Sequence, residues 1–287
     1  MNSKYYKFIA VICCSIFAII FSIAYSLNDT TFLIAFFFLM YLFYNLYKFS
    51  FKNTVHKSKR VHLNINDRHW LNEHIDFYRK LTKEDKTLFE HRLGLFLGDV
   101  VITEVGKEVP EKEVCFYVAS SAIITFWGLP YWNYGELSEV LVYPDNFDLE
   151  NKISNTGRVQ GKVHDGGLMD STMILSLPAL VSGFKNFKDG QNVGIHEFSH
   201  LIDKSNGVID GLPDGFNSEM TKKWNRYVDI EFEKIEKGKS KLNSYALTNK
   251  GEFFAVLMEE FRENPVRLKK NNADLYEVIN RWIDLNR

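Results

Sequence analysis

His196 and His200 stand four residues apart, Glu197 follows the first, and Val193, Ile195, Phe198, Leu201 and Ile202 surround them. A four-residue spacing puts both imidazoles on one face of a helix, one turn apart. The apolar neighbours require the other faces of that helix to be buried. The chain must therefore build a core around a helix that carries three chemically active groups. Their shared face has to open into a cleft.

Two imidazoles placed one turn apart can bind one zinc ion. Glu197 lies beside such an ion, where a carboxylate can take a proton from water and later pass it to a leaving amine. The pattern predicts one Zn2+ per chain, a hydrolytic reaction, and a peptide or protein substrate. A hydrolytic site also needs a third protein ligand and an open position, whereas a purely structural site would have four protein ligands. The histidine of the metzincin spacing would fall on residue 206, which is Asn206. A glutamate from a later helix is the remaining common solution, and Glu252, Glu259, Glu260 and Glu263 all qualify. Glu252 opens an apolar stretch, Phe253 to Val256, where burial would demand a cation partner. It would also suit the first turn of a helix capped by Thr248, where the dipole favours any carboxylate. Spacing does not choose among the four.

Before this region the chain is organised differently. Residues 8–27 are almost wholly apolar, Asn28-Asp29-Thr30 interrupts, and a second apolar run covers about 31–48. A bilayer core of about 30 Å takes roughly 20 helical residues. The runs predict a transmembrane helical hairpin, with Tyr41, Tyr44 and Tyr47 at an interface. Lys4 and Lys7 precede it, while Lys48, Lys52, Lys57, Lys59 and Arg60 follow; the connecting loop has no basic residue. The positive-inside rule then puts both ends in the cytoplasm, with the rest of the chain a cytoplasmic domain tethered to the membrane. Residues 1–60 form the hairpin and a basic linker, and 61–287 the catalytic domain. A net charge of -1 offers no field for nucleic acid. Three cysteines, two of them adjacent within the first apolar run, exclude a disulfide framework.

Within 61–287 helical periodicity dominates. Trp70, Leu71, His74, Phe77, Tyr78 and Leu81 recur at helical spacing, and Thr82 caps a second helix from Lys83. Further helices are predicted over Glu113–Trp127, Asn192–Lys204, Ser218–Lys237, Glu252–Arg262 and Ala273–Leu285. Strands are predicted over Leu137–Pro144, Val159–Val163 and Thr172–Leu177. The reading is an α+β domain, mainly helical with a small mixed sheet. His164 and Asp165, in a Gly-rich stretch, read as a turn. His56, His62, His69, His74 and His91 have no ligand spacing.

Two blocks far apart, Gly194–Asp203 with Asn206-Gly207 and Tyr245–Glu259, together resemble the Mlc titration factor A family of zinc-dependent peptidases. Glu139–Pro144, Ser176–Pro178 and Asp189–Asn192 also match, so the resemblance spans roughly residues 70 to 285. It implies a zincin-like catalytic fold similar to the anthrax lethal-factor catalytic domain. It implies His196, His200 and Glu252 as zinc ligands, Glu197 as catalytic base, and Tyr245 as the donor that steadies the oxyanion. Asp203 would orient a ligand imidazole from behind, and Met173–Ser176 would be the edge strand that pairs with an extended peptide. The family is associated with aminopeptidase activity and with binding the Mlc repressor. The alternative function is accordingly a membrane-bound regulatory protein that binds a transcription factor and keeps a weak or vestigial zinc site. The hairpin departs from the soluble family member.

Overall fold

The fold follows from a computed structural model that describes residues 60–129, 134, 137–145, 161–163 and 171–286. The predicted hairpin, His56, and the turn at His164 and Asp165 lie outside the described residues. Among those described, no helix is long and apolar enough to cross a membrane.

Helix α1, Ile65–His74, starts at a capping box in which Asn64 and Asp67 bond each other's backbone N–H. One short turn, α2 (Asp76–Arg79), separates it from α3, Lys83–Asp99. Thr82 caps α3 as anticipated, accepting from Asp85 N at 3.1 Å. Strand β1, Val101–Glu104, follows at once and has no counterpart in the sequence reading. It is only four residues long, and one of its two inward positions is the carboxylate Glu104. That group is tied to Glu111 N and Lys107, so the buried face does not read as apolar.

Helix α4 (Lys112–Thr125) is buried along almost its whole length and leads to β2 (Glu139–Tyr143). Strands β3 (Gly161–Val163) and β4 (Thr172–Ser176) complete one four-stranded sheet of order β1-β2-β4-β3. The first three strands in that order are parallel, and β3 runs antiparallel to β4. The mixed sheet is as predicted, but the edge is not. Residues Met173–Ser176 lie in an interior strand, because β2 pairs along one side of β4 and β3 along the other. Among the described residues the edges are β1 and β3. Strand order depends on contacts between distant segments, and no local pattern encodes it.

Ser176 ends β4 and caps α5 (Leu177–Lys185), with Pro178 in the first turn. Helix α6, Val193–Asp203, carries both histidines of the motif. It lies so close to α4 that a Cβ on Gly194 would come within 2.0 Å of Ser121 Oγ. Two small residues thus let the helices meet almost backbone to backbone. The remaining helices are α7 (Ser218–Glu236), α8 (Lys250–Glu263), α9 (Pro265–Asn271) and α10 (Ala273–Leu285). Trp224 of α7 packs edge-on against Phe253 and Phe254 of α8, and Trp282 of α10 against Phe254. Burying each phenylalanine contributes about 1.5–3 kcal/mol, which anchors α8 from its outer side.

Helix α8 is enclosed all round, although it carries Glu259, Glu260, Arg262 and Glu263. Each of these groups makes at least one polar contact, although Arg262 Nε and Glu263 Oε1 have none among the described residues. Glu260 pairs with Arg267, Arg262 donates to Thr125 O at the end of α4, and Glu263 accepts from Gly190 N. Glu259 faces the motif helix.

Candidate metal centre

Asn192 is buried and caps α6, its Oδ1 accepting from Ile195 N at 3.1 Å. From there the helix presents His196 and His200 side by side, with ring centroids 4.9 Å apart. Glu252 approaches from the first turn of α8. Asn249 caps that turn by accepting from Glu252 N at 2.9 Å, so the cap is one residue later than the predicted Thr248. Glu252 Oε2 lies 2.8 Å from His196 Nε2 and 3.6 Å from His200 Nε2.

These three side chains form a group able to hold a metal ion, with donor atoms all within 4.8 Å of one another. Bonds of about 2.0–2.2 Å in a tetrahedron put ligand atoms roughly 3.3–3.6 Å apart. One observed spacing, 2.8 Å, is shorter than that and the other, 3.6 Å, is at the top of the range; two imidazoles with one carboxylate suit zinc. Among the described residues the group has no fourth protein ligand, which matches a site with an open position.

Glu197 is 5% exposed. Burial raises its pKa; the nearby His200 and His196 pull it down, and Glu252 and Glu259 push it up again. Burial also acts on His196, against its charged form, but hydrogen bonds to Glu252 and Glu259 outweigh it and raise that pKa well above the ordinary value. Glu252 is driven the other way: burial raises it, yet its bonds to His196 and His200 bring it down to about 2. A metal cation bound here would take the place of the proton between these partners. Tyr245 sits on a short 3-10 turn, Ser244–Leu247, fixed by Asn243 Oδ1 accepting from Tyr245 N. Its ring centroid is 5.9 Å from that of His196. Partial burial and the charges of Glu252 and Glu197 raise the phenol pKa, so it keeps its proton near neutrality.

The fold thus gathers Glu197, Tyr245, His196, His200 and Glu252 in one place. Of the other glutamates considered as ligands, Glu260 and Glu263 point to other partners. Asp203 does not orient a histidine: its carboxylate accepts from Gly211 N and Leu212 N and holds the loop after α6. Glu259 stands where Asp203 was expected to act, with Oε1 2.7 Å from His196 Nδ1. Its position seven residues after Glu252, on the same face of a helix, was the available signal.

A family model described as glucose-regulated metallopeptidase M90 matches residues 50–282, which include every residue of this centre. The chain belongs to the M90 metallopeptidase family. The uncharacterized protein slr2042 of Synechocystis sp. is 27% identical over 227 residues, 75% of this chain and 82% of its own length. Mlc titration factor A of Pectobacterium atrosepticum is 27% identical over 157 residues. The protein of the same name from Serratia proteamaculans is 25% identical over 158 residues. Each of these two alignments covers 50% of this chain and less than two thirds of the relative, 58% and 59% respectively.

In this M90 chain the α6 entry is also held by Glu263, which accepts from Gly190 N at 2.9 Å. Burial pushes the Glu263 carboxyl up to about 8, against the pull of Gly190 N–H and Asn192. Between the ordinary glutamate pKa, 4.5, and about 8 the native state therefore holds more protons than the unfolded chain. Stability should fall as pH rises through that window. Glu263→Gln mimics the protonated form, so it should match the wild type near pH 5 and exceed it at pH 9 by a few kcal/mol at most. Denaturant unfolding curves at pH 5, 7 and 9 measure this. Parallel pH dependences in the two proteins would exclude a neutral Glu263 in the native state.

Proposed function

We propose that the chain is a zinc-dependent peptidase tethered to the cytoplasmic face of a bacterial inner membrane. The observation that carries the catalytic reading is the convergence of His196 Nε2 and His200 Nε2 on one Glu252 oxygen, with buried Glu197 beside them. Zinc bound by His196, His200 and Glu252 supplies a Lewis acid that activates water and polarises a carbonyl.

The protein's own groups do the rest. Glu197, with its raised pKa, accepts the proton of the attacking water and returns it to the leaving amine. Tyr245 keeps its phenolic proton and donates a hydrogen bond to the charge that develops on the carbonyl oxygen. Strand β3, a sheet edge that packs beside α6, offers backbone groups to an extended peptide. The apolar runs 8–27 and 31–48, with basic residues on both outer flanks, support the membrane tether.

Removal of metal tests the reading. Full-length protein in detergent should cleave a mixed peptide library, lose the activity to a chelator, and regain it with one equivalent of Zn2+. Free and N-blocked peptides in the same assay separate aminopeptidase from endopeptidase action. Cleavage that survives complete zinc removal would refute the mechanism.

A second reading draws on the names of two relatives, which describe titration of Mlc. On that reading the domain binds a regulatory protein partner, and the zinc site is weak or vestigial. A biological effect that persists in a zinc-binding but hydrolytically dead protein would favour it.

A further inference from the structure

The two ligand histidines are not held alike. His200 Nδ1 is buried and has no hydrogen-bond partner among the described residues. His196 Nδ1 lies 2.7 Å from Glu259 Oε1. The other oxygen of Glu259 accepts from Asn192 N, and Asn192 is the cap of the same helix. One carboxylate, 6% exposed, therefore clamps both the start of α6 and the ring of its first histidine. It sits two turns beyond Glu252 on α8, so the helix that brings the third ligand also brings this clamp.

We propose that Glu259 is a positioning residue of the metal centre: it fixes the Nδ1–H tautomer of His196 and aims Nε2 at the ion. The proposal rests on the zinc reading above. A carboxylate behind a ligand imidazole orients the ring and raises its basicity toward the metal. The geometry here adds a stricter requirement. Asn192 N–H points at Glu259, and in that tautomer so does His196 Nδ1–H; a carboxylate has an acceptor for each. A glutamine of the same shape has only one acceptor oxygen. Turned one way its NH2 meets Asn192 N–H, and turned the other way it meets His196 Nδ1–H. Glu259→Gln must lose one contact in either orientation.

Zinc affinity of the full-length protein, measured by chelator competition, is the first readout. Glu259→Gln should bind zinc about 10–100-fold more weakly than the wild type. Glu263→Gln is the comparison, because Glu263 holds the same loop through Gly190 and touches neither histidine. Its zinc affinity should stay within about threefold of wild type. Equal affinity in wild type and Glu259→Gln would overturn the proposal, and so would equal losses in both variants. A further measurement needs no variant. Histidine-selective 15N NMR of the zinc-loaded wild type should show His196 protonated at Nδ1 and metal-bound at Nε2. The opposite tautomer would overturn the proposal. Failure of the wild type to bind zinc would instead remove the metal-centre reading on which the proposal stands.

Discussion

Glu197→Gln should leave one zinc per chain in place and lower kcat for peptide hydrolysis by about 10²–10⁴-fold. The amide keeps the shape of the side chain and cannot take a proton from water. No hydrogen bond from Glu197 joins elements of the fold among the described residues, so nothing structural is lost with the charge. The reverse is expected, since burial already disfavours the Glu197 carboxylate. Removing that charge should hold stability constant or raise it, as is common when a group kept for chemistry is neutralised. Metal analysis, kcat and thermal unfolding of the same preparation test all three points. A Glu197→Gln protein with full zinc and wild-type kcat would end the general-base assignment.

Glu252→Ala should have the largest effect on metal binding. It removes the oxygen on which both Nε2 atoms converge. The loss in zinc affinity should exceed the roughly 10–100-fold that follows removal of an outer partner. Hydrolysis should vanish with the metal. The helix itself should survive, because Asn249 caps α8 through the backbone N–H of residue 252. What α8 loses is a first-turn carboxylate, about 0.3–1 kcal/mol of dipole interaction. Zinc should raise the melting temperature of the wild type and leave that of Glu252→Ala unmoved, since only a native-state ligand shifts unfolding. An unchanged zinc-induced shift in the variant would place the third ligand elsewhere.

Local patterns carried the parts of the site that are close in sequence. His196, Glu197 and His200 share one helical turn, and the apolar residues around them predicted the buried helix that α6 is. Thr82 could be recognised as a cap because it needs only the next three residues. The resemblance supplied Glu252 where spacing left four glutamates open. Nonlocal geometry was not legible. The order that places β4 inside the sheet joins segments separated by dozens of residues. Glu259 meets His196 across 63 positions of sequence, and before the fold is known its carboxylate looks like its neighbour Glu260. Asp203, one turn after His200, looked better placed by number alone, yet it faces the backbone of Gly211 and Leu212. The metal centre is half local and half assembled by α8, and only the first half could be derived from spacing.

The enclosure of α8 has a consequence for how this family is read by mutation. Along residues 251–263 almost every position is buried, charged ones included. Arg262 serves the end of α4 and Glu260 serves Arg267. Neither touches the histidines, but loss of Glu260 removes the carboxylate partner of Arg267, and loss of Arg262 leaves Thr125 O without this donor, each at a cost of about 1–3 kcal/mol. Intolerance to substitution will therefore run unbroken through this helix, with architecture and chemistry superimposed on adjacent residues. Assays that count only survival will merge them. Zinc occupancy scored beside folding will separate Glu252 and Glu259 from the glutamates next to them.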